Sequence, residues 1–127
     1  MSRRSRIILK RDSESKVGRG AVLYAAHLRP EMALILYHGA LTAPRELKDN
    51  EVWVTEGWRD VRDSRDLHRE MRAFDFDCTR IQARGHPLRY TIAREWAKDL
   101  QDALGPDYQV VLHGGEKSLH LHIELDP

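Results

Sequence analysis

The closing residues Glu116-Lys-Ser-Leu-His-Leu-His-Ile-Glu-Leu-Asp-Pro127 alternate between apolar and polar side chains from Leu119 onward. Side chains on a β-strand point to opposite faces with period two. Leu119, Leu121, Ile123 and Leu125 therefore share one face, and His120, His122 and Glu124 share the other. The aliphatic face requires a core beneath it. The chain must build a sheet with one buried side, whose other side carries imidazoles and a carboxylate, the donor types of a metal site.

The rest of the sequence supplies partners for that strand. Tyr108-Gln-Val-Val-Leu-His113 reads as a strand, Gly114-Gly115 as a turn, and Ser118 to Leu125 as the returning arm of a hairpin. Ala73-Phe-Asp-Phe-Asp-Cys78 alternates as well, with Asp75 and Asp77 on one face and Phe74 and Phe76 on the other. Glu51-Val-Trp-Val-Thr55 is a further strand. The clearest helix runs from about Pro87 to Leu104, where Ile92, Trp96, Leu100 and Leu104 recur every four residues and Gly105-Pro106 stops it. PEMALILYHGAL, from Pro30 to Leu41, is a second helix, buried, with Gly39 weakening its end. The order predicts a small α+β domain, an antiparallel sheet backed by helices. Residues 1–20 are expected to be a flexible basic arm holding one short strand segment at Ile7-Ile-Leu9, and 21–127 a single domain. Arg59 to Arg69 is dense in charge and reads as a loop or an exposed helical turn.

Charge narrows the partners. Among 127 residues, 21 basic and 20 acidic side chains nearly cancel, which argues against both nucleic acid and membrane surfaces as partners. The single cysteine, Cys78, forbids an internal disulfide and suits a reducing compartment. No apolar run is long enough to cross a bilayer and the start lacks a signal-peptide core, so the expectation is a cytoplasmic protein.

Hydrolytic zinc sites take three protein ligands from His, Asp or Glu and keep one position for water. His68, Asp75 and His122 supply such a set if their segments are neighbours in the sheet. Glu116, on the turn before the closing strand, is placed to take the water's proton, and His120 to orient the water or stabilise the oxyanion. The same residues equally describe a solvated strand face, and spacing does not separate the two. Asp77 is either a support for a ligand's N–H or an exposed polar residue. His27, His38, His86 and His113 have no such partners and read as structural or solvated.

A family resemblance tips this balance. His68-Arg-Glu-Met-Arg-Ala-Phe-Asp75 resembles the His-x-x-Gly-Arg-Ala-x-Asp motif of the zinc D-alanyl-D-alanine peptidases, a superfamily that includes lysostaphin and the hedgehog signalling domain. Glu116-Lys-Ser-Leu-His120-Leu-His122 resembles the Glu-x-x-x-His-x-His motif of the hedgehog branch, and Val54-Thr-Glu-Gly-Trp58 also looks like that domain. The likeness spans roughly Glu51 to Asp126. It implies zinc held by His68, Asp75 and His122, Glu116 as base, His120 as assistant, and Arg59 as the arginine that contacts substrate or developing charge. Two positions depart from the pattern: Met71 stands where the family has glycine, and Leu119 where the peptidase branch often has its glutamate.

The activity this implies is zinc-dependent hydrolysis of a short peptide or amide bond in bacterial peptidoglycan. The enzyme would be bacterial or phage-borne, and either released by lysis or carried in a particle. A zinc-stabilised binding domain of the hedgehog signalling type is the alternative. A His-hydrophobe-His nuclease fits poorly, because Tyr90 and Tyr108 both lie upstream of the histidine pair, whereas such enzymes usually place their tyrosine nucleophile downstream.

Overall fold

The computed structural model describes residues 5–9, 30–56 and 73–126. In chain order these form strand β1 (Arg6–Leu9), helix α1 (Pro30–Thr42), a single 3-10 turn (Lys48–Asn50), strands β2 (Glu51–Glu56) and β3 (Ala73–Asp77), helix α2 (His86–Leu104), and strands β4 (Tyr108–His113) and β5 (His120–Leu125). The strands make one five-stranded sheet in the order β1-β2-β3-β5-β4. This is a small α+β fold. β1 corresponds to the short strand segment expected inside the N-terminal arm.

The sheet is mixed rather than purely antiparallel. β2–β3, β3–β5 and β4–β5 pair antiparallel, but β1 pairs parallel to β2, with Ile7 opposite Val52 and Leu9 opposite Val54. Parallel neighbours need a long crossover rather than a hairpin, and the chain between β1 and β2, which contains α1, is long enough to provide one.

One face of the sheet carries the core. Val52, Val54, Phe74, Phe76, Leu121 and Ile123 are fully buried against Met32 and Ile35 of α1 and Ala93, Trp96 and Leu100 of α2. Each large side chain removed from water contributes about 1.5–3 kcal/mol, so this face stabilises the fold more than any surface pair does. The Phe76 and Trp96 rings stack with centroids 5.7 Å apart. Gly39 sits inside α1 because the helix presses onto Phe76 there: a Cβ at this position would strike the ring. Gly39 does not end the helix, which continues to Thr42.

α2 starts one residue earlier than predicted, at His86, with Pro87 in its first turn, and ends at Gly105, whose φ of 89° closes the helix. The Gln101 side chain then fixes the next strand. Its Nε2 donates to the carbonyls of Gly105 and Tyr108, and its Oε1 accepts from the Val110 amide. Tyr108 donates its hydroxyl to the Glu31 carbonyl at 2.7 Å, tying β4 to the start of α1. Among the described residues no helix is long and apolar enough to cross a membrane.

Candidate metal centre

Alternation places polar side chains on the other face. Buried Phe74 and Phe76 turn Asp75 and Asp77 outward, and buried Leu121, Ile123 and Leu125 do the same for His120, His122 and Glu124. Val111 and His113 follow from β4, and Trp53 from β2. Register then decides which of these meet. Asp75 is opposite His122, and Asp77 opposite His120, across β3–β5; on the far side of β5, Val111 is opposite His122 and His113 opposite His120. The result is two rows across the strands, His113–His120–Asp77 and Val111–His122–Asp75.

Asp75 and His122, predicted as co-ligands, are in contact. His122 Nδ1 lies 2.9 Å from Asp75 Oδ1, and His122 Nε2 lies 3.6 Å from Glu124 Oε1. The three side chains keep only 13–22% of their exposure, so little solvent screens the two carboxylates that flank the imidazole. Two donors about 2.1 Å from a tetrahedral zinc stand roughly 3.4 Å apart. The observed 2.9 Å is the same contact drawn in to a hydrogen bond from Nδ1–H to the carboxylate. The pair thus fits as two ligands of a zinc ion. Among the described residues no three His, Cys, Asp or Glu side chains converge as a ligand set. The third predicted ligand, His68, lies outside the described residues, as do Arg59 and Met71.

His120 holds a defined tautomer. Its Nδ1 is 2.7 Å from the Ser118 carbonyl oxygen, which can only accept, so Nδ1 carries the hydrogen and Nε2 keeps its lone pair in the neutral ring. Glu116 is exposed on the turn before β5, and among the described residues no hydrogen bond or ion pair joins it to Asp75, His120 or His122. Asp77 acts locally. Its Oδ1 accepts from the Thr79 amide at 2.8 Å and from the Thr79 hydroxyl at 2.6 Å, closing the turn that leaves β3. Cys78 is no ligand candidate. It is fully buried on the core side, and burial, reinforced by the negative charge of Asp77, pushes its thiol pKa well up.

His113 corrects the expectation that it has no partners. Its ring stacks on His120 at 5.8 Å and meets His122 edge-on at 6.2 Å. A tight turn at Gly114-Gly115 would have paired His113 with Glu116. Instead residues 114–119 form a longer connection in which Gly114, at φ 91°, folds back onto Ser118, and His113 slides opposite His120. A second group carried no sequence signal at all. Arg80 lies over the Trp53 ring at 4.1 Å and pairs with Glu51 and Asp49, while Glu51 also binds Arg6 at 2.7 Å.

No protein-family model, curated protein or solved structure matches this chain.

Proposed function

We propose that the chain is a zinc-dependent peptidase of the hedgehog and D-alanyl-D-alanine peptidase type, hydrolysing a short peptide or amide bond in bacterial peptidoglycan. The observation that carries this reading is the 2.9 Å contact between Asp75 Oδ1 and His122 Nδ1 at facing positions of β3 and β5. It joins the aspartate of one motif to the histidine of the other, 47 residues apart. Zinc, when held there with His68 as third ligand, supplies Lewis-acid chemistry: it acidifies water and polarises a carbonyl.

The chain's own groups would divide the remaining work. Before metal is held, the hydrogen bond between His122 Nδ1 and Asp75 keeps the two ligand side chains together. His120, with Nδ1–H committed to Ser118, offers Nε2 to a reacting water, or, once protonated, a hydrogen bond to the developing oxyanion. Glu116 is the general base, reaching the water from its turn when substrate is bound. Arg59 contacts substrate or developing charge. Purified protein is expected to hold about one zinc ion per chain, and Glu116→Ala to abolish hydrolysis of wall peptides with zinc retained. Zinc-loaded protein inactive on every wall peptide tested would count against the enzyme.

A second reading is favoured by the exposure of Glu116 on its turn. In it the chain is a zinc-stabilised binding domain, where the metal contributes to folding and the polar face holds a protein partner. Chelation destabilises the protein under both readings, so turnover separates them.

A further inference from the structure

We infer that His113 and His120 form a second divalent-cation site, distinct from the Asp75–His122 pair and weaker than it. The two histidines stand directly opposite each other on antiparallel β4 and β5. Cβ atoms of such pairs are about 4.5–5.5 Å apart, a spacing that lets two side chains reach one point above the sheet. Their ring centroids are 5.8 Å apart and the ring planes differ by 29°. Two imidazoles bound to one ion through bonds of about 2.1 Å have centroids roughly 5 to 6 Å apart. The observed spacing falls in that range, and the His113 ring has only to turn out of its stack on His120 to aim a lone pair at the shared point.

The tautomer of His120 supports the same assignment. The Ser118 carbonyl holds the hydrogen on Nδ1, leaving the Nε2 lone pair for coordination, and this backbone bond fixes the ring as supports of metal-bound imidazoles do. His113 is exposed on the edge strand, so its ring turns towards a shared ion at little packing cost. Asp77, facing His120 from β3, adds a negative charge nearby without being a ligand. Imidazole donors select zinc, nickel, cobalt or copper over magnesium or calcium. Two imidazoles and solvent make an open, exchangeable site, whereas Asp75 and His122 belong to a more buried one. The geometry of the histidine pair carries this inference independently of any catalytic activity.

The test is calorimetric titration of the metal-stripped full chain with zinc, on wild type and on His113→Gln, His120→Gln and His122→Ala. Wild type is expected to show two classes of site. His113→Gln and His120→Gln should each lose the weaker class and keep the tighter, and His122→Ala should do the reverse. Zinc beyond the first equivalent should shift the ring resonances of His113 and His120 in the wild-type NMR spectrum, a readout that needs no variant to fold. Calcium should not compete. Retention of both classes in His113→Gln, unmoved His113 and His120 resonances, or displacement of the second zinc by calcium would each overturn the site. A His122→Ala variant with both classes intact would remove the proposed catalytic centre and leave this second site standing.

Discussion

His122 Nδ1 and Asp75 Oδ1 stand 2.9 Å apart across β3 and β5, at positions that face each other in the strand register. A histidine and an aspartate so placed hold each other by a hydrogen bond, and under the proposed function they would share a zinc ion.

Asp75→Asn keeps the shape of the side chain but removes its charge. Under the proposed function Asp75 is a ligand, so zinc affinity should fall by more than the roughly 10–100-fold typical of losing a mere support to a bound histidine. The melting temperature of the metal-free protein should change little. Equilibrium dialysis against zinc, beside a thermal melt, checks both.

Zinc should stabilise the wild type by mass action. At about 100 times the dissociation constant the gain is about 2.7 kcal/mol, and a strong chelator should remove it. His122→Ala should melt at one temperature at zinc levels that saturate only the tighter site and in chelator. Differential scanning calorimetry with and without zinc reads this directly.

Excess zinc should inhibit hydrolysis in the wild type. A cation shared by His113 and His120 occupies the Nε2 lone pair that the proposed mechanism assigns to the reacting water. His113→Gln should be insensitive to the excess. This outcome requires both the second site and the peptidase activity, and rate measurements across a zinc series test it.

Gly39→Ala should destabilise the fold although alanine is the better helix former. The propensity gain is about 1 kcal/mol, while forcing a methyl group into the Phe76 ring costs about 1–3 kcal/mol. The ring cannot retreat freely because Trp96 is stacked on it. A net loss should appear as a lower urea midpoint with an unchanged slope.

Stability should decline in alkali. Burial, then the charge of Asp77, raises the Cys78 pKa in the folded state above its ordinary 9.0. Burial, then Glu31 and Asp107, raises that of Tyr108 above 10.0. Groups raised on folding contribute stability that is complete below the unfolded pKa and lost as pH rises towards the folded one. The decline should therefore begin near pH 9.0 and steepen past 10.0. Urea titrations across that range, with Cys78→Ala removing the earlier part, give the measurement.

The sequence by itself determined the strands β2 to β5, both helices and the faces of each strand. Hydrophobic period is a local property: Phe74 and Phe76 had to point opposite to Asp75 and Asp77, and Leu121 and Ile123 opposite to His120 and His122. Only the tertiary structure decided which polar residues meet. Contact across a sheet depends on strand order and register, and these are set by loop length and core fit rather than by either strand alone. The six-residue connection 114–119 brought His113 opposite His120, where a tighter turn would have left it apart. The parallel pairing of β1 and the close approach of α1 to Phe76 at Gly39 likewise belong to the packed chain, because each needs partners more than thirty residues away in sequence. The closing strand alone offered two histidines on one face. The fold set one of them against Asp75 and the other against His113.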